Sequence, residues 1–263
     1  MLEEFASQRA YFLRAALLEA KKWCEPPDQL VEGKRSDQFW LRAFSSNSEP
    51  VTSRNVREFL IAYRLVRQGD WKHQEIAEQI DHYRGSVDSD IEIVFRKFAR
   101  FLSSSVSRAM GQNRQQTSAA SKFLFFMRPS CDVYIWDQLA TVAARFRDRL
   151  RAREVGRQRT FGGTYTSAKG EHDYAAYSAA CASALEEERS RHDFVAAVEE
   201  FRDFLQFVGG PMGTEPILSS SFVERRYLDK VMWCEGIWLN TWKKYKAELG
   251  GKGNAALLTS SPT

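Results

Sequence analysis

Apolar residues fall along this chain mostly at spacings of three and four, the period of helices that bury one face. Phe5, Phe12, Leu13, Ala16, Leu17 and Ala20 recur in that way between charged positions and predict an amphipathic helix over residues 3–23, stopped by Pro26-Pro27. A short helix is predicted over 37–44, with Phe39, Trp40 and Phe44 inward. Thr52 or Ser53 can cap a helix over 54–67 whose greasy face is Val56, Phe59, Leu60, Tyr63 and Leu65, ended by Gly69-Asp70. Another helix is predicted over 71–84. Asp88 or Ser89 is expected to start one that carries Ile91, Val94, Phe95, Phe98, Phe101 and Leu102.

Beyond a small, polar stretch around Gly111, helices are predicted over 117–127, 138–154, 173–190, 192–208 and 221–248. Gly209 to Pro216 is a strong break. Residues 251–263 are expected to be a disordered tail. Alternation with a period of two is confined to VYIW (133–136) and TFGGTYT (160–166), both short. The expectation is an all-α fold, a single helical domain over 1–250. It is expected to divide into two lobes, about 1–110 with 217–248, and about 111–210, with a cleft between them.

Composition adds limits. At 263 residues the chain can bury a sizeable core without covalent staples. Its 13% aromatic content points to a bulky core with rings to spare for a ligand. No apolar run is long enough to span a bilayer, and the first residues lack the layout of a signal peptide. Cys24, Cys131, Cys181 and Cys234 are too scattered for a zinc or iron–sulfur site, and His73, His82, His172 and His192 have no metal-ligand spacing. The expectation is a cytoplasmic protein with reduced thiols, no metal and no cofactor, acting as a monomer. A net charge of +4 does not by itself diagnose nucleic-acid binding.

Distribution of charge says more. Arg145, Arg147, Arg149, Arg151, Arg153, Arg157 and Arg159 form a run opposed only by Asp148 and Glu154. It leads into a Gly- and Thr-rich loop with Tyr165 and Lys169. Such residues suit phosphate and base contacts, while part of the run is expected to be a solvated helix face. Arg151, Arg153, Arg157, Arg159 and Lys169 are the candidate DNA contacts.

The segment 117–146 carries the candidate chemistry. Ser118, Ala119, Ala120 and Ser121 open a helix with small side chains, Phe123 to Met127 drive it into the core, and Pro129 stops it. VYIW then returns the chain inward, and Asp137 emerges at the start of the next helix. There a carboxylate can cap free N–H groups and meet the positive end of the helix dipole. Asp137 is thus either a catalytic carboxylate or simply a cap, and Asp132 is the alternative carboxylate. Lys122 is either a reactive amine or a surface lysine whose stem lies on apolar neighbours. Tyr134 and Trp136 are either core anchors or a stacking wall for a base.

This layout of small-residue helix, proline-containing loop, apolar approach and Asp before a helix resembles the helix-hairpin-helix DNA glycosylases, and within them the divergent 8-oxoguanine glycosylase-like members. The resemblance covers about thirty residues. It implies a partner, double-stranded DNA, whose target nucleotide is flipped into a pocket. It implies Asp137 as the residue that stabilises an oxocarbenium-like sugar and Lys122 as a Schiff-base nucleophile. The family's Leu-Pro-Gly-Val-Gly-like hairpin is replaced here by Met110-Gly111-Gln112-Asn113-Arg114. Gly111 and Arg114 are the candidate backbone grip of that turn. The substrate implied is a damaged base or a modified base of phage DNA. Two other readings are a non-catalytic helical module that binds nucleic acid or serves host defence, and an ordinary helical scaffold.

Overall fold

Helix caps and buried aromatic rings explain most of the element boundaries seen in a computed structural model of the chain. The structure describes residues 2–25, 35–45, 49–65, 70–84, 90–107, 116–154, 165–166 and 172–256. In order these form α1 (Leu2–Ser7), α2 (Arg9–Cys24), α3 (Asp37–Ser45), α4 (Ser53–Ala62), β1 (Asp70–Trp71), α5 (His73–Arg84) and α6 (Ile91–Ser104). There follow β2 (Val106–Ser107), α7 (Thr117–Met127), α8 (Gln138–Glu154), α9 (Tyr174–Arg189), α10 (His192–Val208), α11 (Glu215–Leu218) and α12 (Ser221–Ala256).

The fold is all-α. Among the described residues the only paired strands are β1 and β2, an antiparallel two-residue ladder matching Asp70 with Ser107 and Trp71 with Val106. Residues 133–136, apolar and extended, join no ladder. Among the described residues no helix is long and apolar enough to cross a membrane.

Local chemistry sets several ends. Thr52 and Asn55 form a reciprocal capping box at the start of α4. The predicted helix over 54–67 stops early, at Ala62. Arg64 takes a left-handed φ of 56°, and Leu65 N donates to Leu60 O at 2.7 Å. That closure resembles a Schellman turn and swings Leu65 into the core. Asp90, rather than the expected Asp88 or Ser89, caps α6 through Glu92 N and Ile93 N. The predicted helix over 3–23 is broken at Gln8 into α1 and α2. Inside the predicted break at 209–216 lie two left-handed glycines, Gly209 and Gly210, then a 3-10 turn (Pro211–Gly213) and α11. The last helix was expected to end at 248; α12 continues to Ala256, and residues 257–263 lie outside the described ones.

The buried side chains form one continuous cluster running from Phe12 to Cys234. Its centre is aromatic. Phe59 meets Phe123 with ring centroids 4.4 Å apart, and both meet Phe44. Phe125 and Phe126 are fully buried, as their place in the apolar helix end requires. α12 packs against both α8 and α2, so its first half runs through the interior rather than over it.

Candidate active site

The segment 129–136 joins no sheet; a turn satisfies Cys131 N and Val133 N, and side chains take up much of the rest of its backbone. The buried Arg225 of α12 donates from Nη1 to Val133 O at 2.8 Å and from Nη2 to Pro129 O at 2.5 Å. Tyr174 of α9 accepts from Tyr134 N at 3.1 Å and donates to Tyr134 O at 2.8 Å. Tyr177 donates to Ile135 O at 2.7 Å. Trp136 N donates to Ser121 Oγ of α7 at 2.9 Å. Four side chains from three helices thereby aim the chain at Asp137.

Asp137 caps α8. Its Oδ1 accepts from Leu139 N at 2.8 Å, and its carbonyl accepts from Thr141 N at 2.9 Å. The side chain is half-buried. The nearby alternative, Asp132, is 75% exposed, with one oxygen 3.9 Å from Arg225 Nε.

Lys122 is not a surface lysine. Only 7% of it is exposed. Its amine donates to Ser118 Oγ at 2.7 Å and stands 5.8 Å from the centre of the Tyr63 ring. Among the described residues it forms no ion pair. Burial pushes the amine below the ordinary lysine range, while the charges of Asp137 and Asp229 pull the other way. Asp137, ahead of α8, and Asp229, on α12, are thus the carboxylates that act on this amine. Ser121, one turn from Ser118 on α7, donates to Ser118 O at 3.0 Å and accepts from Trp136 N, the residue before Asp137.

α12 brings a second set of charges to the same place. Arg226 Nε pairs with Asp37 Oδ2 of α3 at 2.6 Å, and its Nη1 pairs with Asp229 at 2.8 Å. Arg226 Nη2 is buried and has no hydrogen-bond partner among the described residues. Tyr63 donates to the other oxygen of Asp37 at 3.2 Å. Burial pushes the Asp229 carboxyl up, against the opposing pull of Lys230 and Arg226. The Lys230 amine lies 4.6 Å from the centre of the half-buried Trp23 ring, and Trp23 lies 5.2 Å from Tyr63. Burial, with the Arg226 charge, pushes the Lys230 amine down to about 8.

Asp37, Tyr63, Trp23, Arg226, Asp229 and Lys230 are absent from the sequence-based set of site residues. One signal does precede them in the sequence. Arg225-Arg226 and Asp229-Lys230 stand three and four apart inside an otherwise apolar helix with Phe222, Val223, Tyr227, Leu228, Val231 and Met232. Charges in such a setting must find partners indoors.

The rings offered as a stacking wall are engaged inside the protein. Trp136 stacks on His172 at 4.8 Å and meets the edge of Tyr177 at 5.0 Å. Tyr134 is buried, with its backbone N and O both held by Tyr174. Both are core anchors, and Trp23 and Tyr63 are the half-buried rings beside the candidate amines.

The arginine run is only partly a solvated face. Arg147 is buried and pairs with both oxygens of Glu235, at 2.8 and 2.5 Å, and with Glu188 at 2.8 Å. Arg151 is tied to Asp148 at 2.5 Å and to Glu187 at 3.3 Å. Arg149 is exposed and Arg145 half-buried. Arg153 lies on α8, with its side chain outside the described set. Gly111, Arg114, Arg157, Arg159 and Lys169 also lie outside the described residues.

Among the described residues no cluster of His, Cys, Asp and Glu could hold a metal ion. Cys24, Cys181 and Cys234 are buried free thiols, and Cys131 is partly exposed. Comparison with protein-family models, with curated proteins and with solved structures finds no match.

Proposed function

We propose that the chain is a DNA glycosylase whose reaction takes place between Lys122 and Asp137. The observation that carries the reading is the buried Lys122 amine. It is held by a neutral hydroxyl, has no ion pair among the described residues, and is acted on by the charge of a carboxylate at a helix N-terminus.

Desolvation makes a lysine a better nucleophile, because more of it is the neutral amine near neutral pH. An amine so placed suits attack at C1′ of a sugar whose base is leaving. A fixed carboxylate suits the positive charge that builds on that sugar. The half-buried rings of Trp23 and Tyr63 offer flat surfaces next to the amine for an extruded base. On this reading the helices form two lobes, with the double-stranded DNA entering between them over Lys122. The excised base is a damaged one or a modified base of phage DNA.

A non-catalytic nucleic-acid or defence module is the second reading. It is favoured by the internal ion pairs of Arg147 and Arg151 and by the capping role of Asp137. Borohydride trapping separates the two. The wild-type chain mixed with an abasic-site duplex and borohydride is expected to form a covalent adduct at Lys122, located by peptide mass spectrometry and lost in Lys122→Gln. Incubation with a panel of modified duplexes, then alkali, reports base release. DNA binding without an adduct or base release would decide for the non-catalytic module.

A further inference from the structure

Ser118 differs from its neighbours in the first turn of α7. Gln116, Thr117, Ala119 and Ala120 are buried, whereas Ser118 is partly exposed. Its Oγ lies 2.7 Å from the Lys122 amine, one turn further along the helix, and Lys122 is 7% exposed. The pair is thus a serine that solvent reaches, backed by a lysine that it hardly reaches. A lysine on a solvated helix face is arranged the other way, with its stem covered and its head in water. Among the described residues no carboxylate stands at ion-pair distance from the amine, so its hydrogen bond goes to a hydroxyl rather than to an anion.

The same turn offers what a negative charge on or beside Ser118 needs. The first amide of α7 to find a helical acceptor is Ala120 N, which donates to Gln116 O at 2.9 Å. The amides of Thr117, Ser118 and Ala119 lie ahead of it, in the turn whose N–H groups a helix leaves unused. They and the positive end of the helix favour an anion there. The Gln116 side chain makes no capping bond to them. Thr117 Oγ1, fully buried, has no hydrogen-bond partner among the described residues and is a further unused donor in this turn.

We propose that Ser118 and Lys122 form a serine–lysine dyad that hydrolyses carboxylic esters, with Ser118 as the nucleophile and Lys122 as its general base. This activity goes beyond the glycosylase reading and does not rest on it. A neutral amine can add to a sugar or take a proton from a hydroxyl, and here the hydroxyl is already in place. In the step, the Ser118 proton passes to the Lys122 nitrogen as Oγ bonds to the ester carbonyl carbon. The amides of the α7 turn meet the oxyanion that forms. The bond from that carbon to the alcohol oxygen breaks, and the alcohol takes the proton from the Lys122 ammonium. Water then adds to the acyl carbon and gives a proton to Lys122. Ser118 Oγ leaves with that proton, and the free acid departs. Esters suit a two-membered site, because an alcohol leaves more readily than an amine.

The amine must be neutral to act as a base. Burial pushes it below the ordinary lysine range and Arg226 on α12 works in the same direction, while Asp137 ahead of α8 and Asp229 on α12 oppose them. The Tyr63 ring, just after α4, stands 5.8 Å from the amine. Of the other helices packed on α7, α3 carries Asp37, already engaged by Arg226 and Tyr63, and the exposed Arg42. Helix α6 carries Arg96, Lys97 and Arg100, all exposed.

The test uses the full chain, a fluorophosphonate probe and para-nitrophenyl acetate, with melting temperatures to show that each variant folds. The wild type is expected to take the probe at Ser118, located by peptide mass spectrometry, and to hydrolyse the acetate over many turnovers. Ser118→Ala should lose both. Lys122→Met is expected to slow both by about a hundredfold or more, the contribution of a general base. Wild-type labelling should rise with pH to a plateau, with its midpoint below the ordinary 10.5 of a lysine, and this limb should vanish in Lys122→Met. If Lys122→Met does not melt cooperatively, Lys122→Arg keeps a donor that cannot act as a base, and the same loss is read there. A hydrogen bond that only pins the turn would change the melting temperatures and produce no such limb. A folded wild type that fails to label at Ser118 or to turn over the ester overturns the dyad. Equal labelling rates in wild type and a folded Lys122 variant do the same. Borohydride trapping on an abasic duplex tests the glycosylase reading separately. Trapping without Ser118 labelling overturns the dyad alone, and labelling with turnover but without trapping or base release overturns the glycosylase reading alone.

Discussion

Gly236 of α12 meets the carbonyl of Leu139, in the first turn of α8, so closely that a Cβ on the glycine would stand 2.2 Å from that oxygen. No flexible side chain is involved, so the backbones themselves would have to part. The contact lies two residues from Asp137 and seats the N-terminus of α8 on the helix that carries Arg226, Asp229 and Lys230. Gly236→Ala is expected to destabilise the protein by about 1–3 kcal/mol, the usual cost of overpacking. That outweighs the roughly 0.5–1 kcal/mol that Ala gains over Gly inside a helix. Because α8 moves, Lys122 trapping should fall as well. A melting temperature equal to or above that of wild type would show that the two helices separate freely.

Asp137→Asn separates capping from charge. The amide oxygen can still accept from Leu139 N, so the fold should melt within a few degrees of wild type. Loss of the charge beside the sugar should slow base release by about a hundredfold or more. Asp137 raises the Lys122 amine, so the variant amine should lose its proton at lower pH, and its labelling by an amine reagent should begin at lower pH. A variant with wild-type excision would leave Asp137 as a cap and nothing more.

The ion network under α8 should set the acid limit of stability. Glu188 receives Arg147 at 2.8 Å and Arg9 at 2.6 Å, and Arg9 also holds Asp193 at 2.6 Å. Burial works against the Glu188 charge, but the hydrogen bond from Arg9 and the charge of Arg147 prevail and hold its carboxyl below the ordinary 4.5. A carboxyl lowered by folding contributes stability that is complete above its unfolded pKa and is lost as pH falls through the folded value. Glu188→Ala leaves Arg147 with Glu235 and Arg9 with Asp193 but removes the anion between them, and should cost about 1–3 kcal/mol at pH 7. Chemical denaturation from pH 7 to pH 3 should show that gap narrowing in acid. A constant gap would mean that packing, rather than charge, holds the junction.

The arginine run divides into two kinds. Arg147→Gln should unfold or strongly destabilise the chain, because Glu235 and Glu188 lose a buried partner. Replacing Arg151, Arg153, Arg157 and Arg159 with Gln should leave the chain folded and weaken DNA binding. Each lost phosphate contact should flatten the slope of log K against log salt by about one unit. An unchanged slope in a folded variant would remove this stretch from the DNA interface.

Helix content is legible in the chain itself, because burial of one helical face leaves a period of three and four that any reader can count. The same rule places Phe59, Phe123 and Phe126 in the core before any coordinates. Local chemistry also marks Asp137, since a carboxylate ahead of a helix must meet free N–H groups. What α4 does after Ala62 is not local. Leu65 leaves the helix because the core offers it a place, and the helical period that includes it in the sequence is overridden at Arg64. The fate of the arginines is likewise decided by tertiary packing: Arg147 and Arg149 look alike in sequence, and only the arrival of Glu188 and Glu235 from other helices separates a buried bridge from a solvated side chain. The candidate site follows the same logic. Lys122, Asp137 and Asp229 come from three helices. The state of the Lys122 amine depends on burial and on carboxylates distant along the chain, which no periodicity encodes.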